Sequence, residues 1–226
     1  MSEIALTRYR IQYARGNELR YVGNLDMQMG WERCLRRARL PVAFSQGFNA
    51  RPRFHMAAAL PLGFTSRAET LDLWLNECID AADVGSRLRS AAPPGLVIHA
   101  IEIVALNLPA LQTQVIAAEY RAVLREIPDG LDIPNAVETL LHATSLPREW
   151  RSKPYDLRPL IFSLHVLPAA TMAQPVLEMH LSAREGATAR PEEVLSALGV
   201  DPTTARVERI RLIMSPTVET VTPEST

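Results

Sequence analysis

The chain has 226 residues, 47% of them apolar and 22% charged, with a net charge of −1; this is the composition of a globular protein with room for one large or two small cores. No apolar run reaches the ~18 residues of a membrane helix, and MSEIALTRYR lacks the basic start, apolar block and cleavage site of a signal peptide. Cys34 and Cys78 are the only cysteines, which excludes a disulfide framework or an iron–sulfur site and points to a reducing, cytoplasmic setting.

In TRYRIQYARG, Tyr9, Ile11 and Tyr13 alternate with Arg8, Arg10 and Gln12, the period of a strand. Gly16-Asn17 supplies a turn. A helix follows, capped by Asn24 or Asp26, with Met27, Trp31, Cys34, Leu35 and Ala38 on one face. Arg33, Arg36 and Arg37 form a stripe away from that face. The helix must end before Pro41. RFHMAAALPL and ETLDLWL read as strands, DAADVGSRLRSA as a helix stopped at Pro93-Pro94, and GLVIHAIEIV as a strand. After the linker ALNLPALQTQ the order returns: strand AAEYRAVLRE, helix IPNAVETLLHA, strands DLRPLIFSLHV and PVLEMHLSA, helix RPEEVLSALG, strand ARVERIRLIM. Pro191 suits the first turn of the last helix. Strand–helix–strand–strand–helix–strand is the ferredoxin-like order. The expected fold is therefore α+β: two tandem ferredoxin-like (βαββαβ) units with antiparallel sheets. They span 1–105 and 115–214, with a linker at 106–114 and a disordered tail at 215–226.

Charge is distributed unevenly. Residues 1–67 hold eleven arginines against four acidic residues, a net of +7, so the remainder carries −8. Of the 24 basic residues only Lys153 is lysine. The preference for arginine over lysine reads either as genome base composition or as phosphate recognition by the planar guanidinium. Base composition explains the clustering in the first third less well, and a one-sided basic region is the usual footprint of a polyanion partner.

The segment AFSQGFNARPRFHM, residues 43–56, is the most distinctive. Ser45, Gln46 and Asn49 offer hydrogen bonds, Phe48 a stacking face, and Arg51 and Arg53 charge, the means by which single-stranded RNA is held. The bland alternative places Phe44 and Phe54 in the core. Asp156 and Arg158, in KPYDLRP, read either as a local pair fixing a strand entry or as a site where Arg158 reaches a phosphate. Catalytic motifs are missing. There is no CxxxCxxC, no Gly-rich phosphate loop with a lysine, and no HxH or HExxH zinc pattern. No metal or cofactor is expected. His55 and Asp26 are the candidate acid–base residues if the protein is an enzyme. Cys34, on the apolar helix face, is expected to be buried and inert.

The run from Tyr9 to Glu69 resembles the radical-SAM-linked protein family, uncharacterised bacterial proteins encoded beside, or fused to, a radical SAM protein. The motif LP-x-x-x-SQGFN-x-RP at 40–52 carries the resemblance, with LRRA before it, LPLG-x-x-S-x-x-E after it and DLRP at 156–159. It extends to about residue 214. This chain departs from the family pattern at three positions, with Asn24 in place of histidine, Met29 in place of arginine and Ala50 in place of proline. Asn24 cannot act as a general base, so binding is favoured over catalysis. The resemblance implies a radical SAM protein as partner. The function expected is a non-catalytic accessory or substrate-recognition protein that binds RNA. The alternatives are a metal-independent RNA-processing or RNA-modifying enzyme and a protein-only adaptor of the radical SAM partner.

Overall fold

The computed structural model describes residues 6–167 and 174–215. Apart from Ser215, the expected disordered tail lies outside them. The described chain is a mixed α+β structure with five α-helices, a nine-stranded, mostly antiparallel sheet and a separate two-stranded ribbon. In the first half the elements are β1 (Thr7–Arg15), α1 (Asn24–Arg37), β2 (Phe54–Met56), β3 (Thr65–Leu75), α2 (Ala81–Ala91) and β4 (Leu96–Val104). The strands lie in the order β4-β1-β3-β2, all neighbours antiparallel.

A four-residue helix, α3 (Leu111–Gln114), leads into the second half. There follow β5 (Val115–Leu124), α4 (Ile133–His142), β6 (Pro147–Trp150), β7 (Lys153–Asp156), β8 (Ile161–Leu167), β9 (Val176–Arg184), β10 (Ala187–Thr188), α5 (Pro191–Ala197) and β11 (Ala205–Met214). The order here is β11-β5-β9-β8, again antiparallel, while β6 and β7 form the separate ribbon. The halves share one sheet because β11 runs parallel to the start of β3, pairing Glu208 with Thr65 and Arg209 with Ser66. β2 pairs with the other end of β3, at Leu71–Leu73. No described helix is long and apolar enough to cross a membrane.

Each half has its own core. Tyr9, Ile11 and Tyr13 of β1 and Leu71, Leu73 and Leu75 of β3 pack against Met27, Trp31 and Leu35 of α1 and Val84 and Leu88 of α2. The second core joins β5, β9 and β11 to α4 and α5, and takes in Leu60 and Phe64 from the first half. At the seam, Arg209 of β11 and Glu69 of β3 form a buried bidentate pair, with Arg209 Nε donating to Glu69 Oε1 at 2.7 Å. Arg209 also donates to the carbonyl of Ala59 at 3.1 Å. Burial alone would lower the Arg209 pKa; the charge and hydrogen bonds of Glu69, with Tyr120 beside it, outweigh burial and raise it. Arg209 therefore stays charged.

Several local expectations are corrected. Gly23, not Asn24 or Asp26, is the N-cap of α1; the Gly23 carbonyl accepts from Met27, and no side chain caps. The helix simply begins one residue early, leaving Asp26 in the first turn, where a carboxylate favours the helix dipole. The expected strand RFHMAAALPL shrinks to three residues, because the chain turns away beyond Met56 toward Gly63, whose φ of 86° is a left-handed value. The expected strand DLRPLIFSLHV is interrupted: Asp156 ends β7, Arg158–Leu160 is a short 3₁₀ helix, and β8 starts only at Ile161. The β6–β7 ribbon and β10 were not expected, and part of the linker is helical, with Leu111 and Gln114 buried.

Removing one member of a buried ion pair costs about 3–5 kcal/mol, whereas removing both costs less. Arg209→Met should lower the urea-denaturation free energy by about 3 kcal/mol. The Glu69→Met/Arg209→Met double variant should be more stable than Arg209→Met alone; a double variant as unstable as the two single losses added would contradict this account of the seam.

Candidate functional site

The segment 43–53 folds as a hairpin hung on the end of β3. Ala43 donates to the Trp74 carbonyl at 2.8 Å, Trp74 to the Arg53 carbonyl at 3.1 Å, and Arg53 to the Ala43 carbonyl at 2.7 Å. Phe44 pairs with Pro52 as an isolated bridge. Beyond it Ser45 closes the loop twice, its N–H donating to the Arg51 carbonyl at 2.8 Å and its Oγ accepting from the Arg51 N–H at 3.0 Å. Gly47 at the tip has φ 122°, a backbone that side chains other than glycine's rarely allow. Phe48 is fully exposed and Phe44 half-exposed, whereas Phe54 packs against the core. The bland reading thus holds for Phe54 and fails for Phe44. Gln46, Asn49 and Arg51 are exposed.

Two hollows flank the hairpin stem. One, of about 340 Å³, lies between α1 and the segment 51–59; Asn24, Gln28 and Glu32 line it from one helix face, Arg51 and His55 from the other side, and Gln112 from α3. The other, of about 480 Å³, is lined by Leu35, Arg36, Val42 and Phe44, with Glu32 and Pro52 shared. The first is polar and bears both a carboxylate and an imidazole. Among the described residues no group of three or more histidine, cysteine or acidic side chains is placed to hold a metal ion.

Behind the hairpin, the sheet face opposite α1 and α2 carries a buried charge cluster. Asp72 accepts from Arg8 at 2.6 and 3.0 Å and from Arg10 at 2.9 and 3.0 Å. Arg8 also donates to the carbonyls of Leu108 at 2.7 Å and Pro109 at 3.0 Å, so the linker seals this face. Trp74 sits between cations, 5.0 Å from the Arg8 guanidinium and 4.6 Å from that of Arg53, and meets the His55 ring edge-on at 5.2 Å. Partial burial lowers the His55 pKa, and Arg53 and Arg8 lower it further, against the opposing pull of Asp72. His55 is therefore neutral at pH 7.

The expected site residues disperse. Arg33 and Arg36 are exposed on α1, and Arg36 borders the hairpin. Arg37 instead donates to the Ala91 carbonyl at 3.1 and 2.7 Å, finishing the end of α2. Asp26 is exposed in the first turn of α1 and does not line the His55 hollow; the carboxylate there is Glu32. Asp156 accepts from the backbone N–H groups of Leu146 at 2.7 Å and Arg158 at 3.0 Å, which depress its pKa. The Arg158 guanidinium is spent on the carbonyls of Leu141, at 3.1 and 2.8 Å, and Ile161, at 3.1 Å. Of the two readings of this segment, the geometry favours the structural one. Cys34 is buried, and burial pushes its thiol pKa up.

A model of uncharacterised proteins conserved in bacteria, DUF2344, matches residues 8–191. The chain belongs to the DUF2344 family. No curated protein matches it. Among solved structures it is similar to the crystal structure of an unknown protein from Galdieria sulphuraria, with 18% identity over 91% of this chain and 99% of that chain, and a TM-score of 0.26. The DUF2344 match takes in the hairpin, both hollows and the Arg8–Asp72–Arg10 cluster.

Within this DUF2344 chain, Asn24 was singled out in the sequence, but Gln28 and Glu32 escaped the reading, although their i+4 and i+8 spacing from Asn24 placed them on the same helix face. Asp72 and Trp74 were legible only as the outward positions of β3, and nothing local marked them as buried.

NMR titration of the His55 ring should give a midpoint below the ~6.5 of free histidine, and Arg53→Gln should raise it. Because the folded pKa lies below the unfolded one, the unfolded chain takes up the proton first as pH falls. This contribution to stability is complete above about pH 6.5 and is lost as pH drops toward the folded value. A midpoint at or above 6.5 would contradict the packing of His55 against Trp74 and its flanking arginines.

Proposed function

We propose that this protein is a non-catalytic recognition module that binds single-stranded RNA through the 43–53 hairpin, in the service of a radical SAM enzyme. The observation that carries the reading is the state of the hairpin tip. Phe48 is wholly solvent-exposed, and the side chains of Gln46, Asn49 and Arg51 make no hydrogen bond with other described residues. An aromatic ring with no burial returns no hydrophobic stabilisation. Base stacking on such a ring contributes about 1–3 kcal/mol per base. Exposed Arg33 and Arg36 on the adjacent helix extend the positive surface along which a backbone would run.

The strand orders β4-β1-β3-β2 and β11-β5-β9-β8 support reading each half as a ferredoxin-like unit. The radical SAM partner comes from the sequence resemblance alone. A catalytic role would run through His55, in whose hollow the lining carboxylate is Glu32 rather than the expected Asp26.

The test is binding of labelled single-stranded RNA across a salt series. Phe48→Ala should weaken binding about tenfold, equivalent to ~1.4 kcal/mol, with an unchanged salt slope. Arg51→Gln should reduce the log–log slope by about 0.7, the share of one phosphate contact. Both variants should fold normally because neither side chain is buried. Absence of RNA binding at low salt would overturn the reading and turn the hairpin into a protein-contact surface.

A further inference from the structure

The second half of the chain carries a cavity of about 470 Å³ that the hairpin site does not use. Its size is within the small-molecule range. The β6–β7 ribbon supplies Trp150, Lys153 and Tyr155 to its wall, and the segment leading into α5 supplies Thr188 and Arg190. The Arg190 guanidinium lies 3.6 Å from the Trp150 ring centroid, in stacking contact. Trp150 is nonetheless 40% exposed.

Three further observations point to a ligand. Neither Arg190 nor Lys153, the only lysine in the chain, forms a salt bridge among the described residues, although Glu192 is near enough to feel the Arg190 charge. The Tyr155 hydroxyl is buried and lacks a well-formed hydrogen bond; burial raises its pKa, and the adjoining Arg190 guanidinium opposes that rise through its charge and as a hydrogen-bond neighbour. The ribbon's two-residue turn holds Arg151 at φ 50° and Ser152 at φ 61°. Turns of this kind favour Asn-Gly, and left-handed backbone at residues of other types tends to persist where a site needs it. Here it puts Arg151 beside Trp150, 5.8 Å from the ring centroid. The carboxylate that lines the cavity, Asp156, already accepts two backbone N–H groups.

We propose that this cavity is a nucleotide site, in which the base extends the Trp150–Arg190 stack and the phosphate is neutralised by Arg190 and Lys153. An aromatic ring and a guanidinium give planar surfaces that any base can use. The site is independent of the 43–53 hairpin. Its ligand is a nucleoside monophosphate, either free or as one residue of an RNA strand.

Tryptophan fluorescence of the full chain, titrated with AMP, inorganic phosphate and a short oligouridylate, tests this. Trp31 and Trp74 are buried, so Trp150 is the ring that a ligand would quench. AMP should quench saturably. Trp150→Leu should abolish the signal, and by equilibrium dialysis should weaken AMP binding at least tenfold. Arg190→Gln, which removes no core side chain, should weaken AMP at least fivefold and leave the far-ultraviolet circular dichroism spectrum unchanged. Phe48→Ala and Arg51→Gln should leave AMP binding intact, which separates this site from the hairpin. AMP binding that an oligouridylate does not exceed identifies a free nucleotide; tighter oligouridylate binding lost in Trp150→Leu identifies a residue of a strand. No saturable quenching by either ligand, phosphate binding as tightly as AMP, or equal affinity in Arg190→Gln would overturn the proposal.

Discussion

The buried pair of Glu69 and Arg209 is the constraint on which the arrangement of the two halves depends. β3 and β11 pair over only two residue positions, too few ladder hydrogen bonds to fix a register by themselves. The bidentate contact adds a directional requirement, since a slip of β11 by one residue would turn the Arg209 side chain to the other face. It would also leave Glu69 buried without its cation, at a cost of several kcal/mol. Arg67 and Glu208 repeat the connection at the surface, at 2.8 Å, where an exposed pair contributes little. Specificity at the seam thus comes from the buried pair, while the apolar packing of Leu60 and Phe64 into the second core adds adhesion without direction.

The same strand carries support outward to the hairpin. Asp72 gathers Arg8 and Arg10, and Arg8 in turn holds the linker carbonyls. Trp74, one pleat further on the same face, receives Arg8 and Arg53, and its backbone is bonded to both stem strands of the hairpin. The stem is therefore anchored at a rigid, buried platform while its tip is free. A rigid base with an unspent tip is the arrangement expected of a recognition loop, because order is already established before a ligand arrives.

Legibility in the sequence followed apolar periodicity. α1, α2, α4 and the long strands β1, β5, β9 and β11 could be read because one face of each repeats at the period of its element. The β6–β7 ribbon could not: PREWRSKPYD has prolines and charges where a strand would alternate, and its turn, Arg151-Ser152, lacks the usual Asn-Gly. Arginine roles were the other blind spot. Arg37 and Arg158 finish the ends of helices α2 and α4, and Arg209 finds Glu69 from 140 residues away. Whether a guanidinium is spent internally or left free depends on carbonyls and carboxylates brought near only by the fold. The 43–53 segment stood out because its mixture of amides, aromatics and arginines suits neither a core nor an ordinary loop, and its fully exposed Phe48 agrees with that reading.

The central claim is that the hairpin tip touches the ligand. Ultraviolet crosslinking of bound single-stranded RNA, followed by mass spectrometry of the digested protein, tests it most directly. The account predicts crosslinks on the peptide that contains Phe48, with Arg36 or His55 peptides as neighbours. Crosslinks confined to other surfaces, with none on residues 43–56, would contradict it.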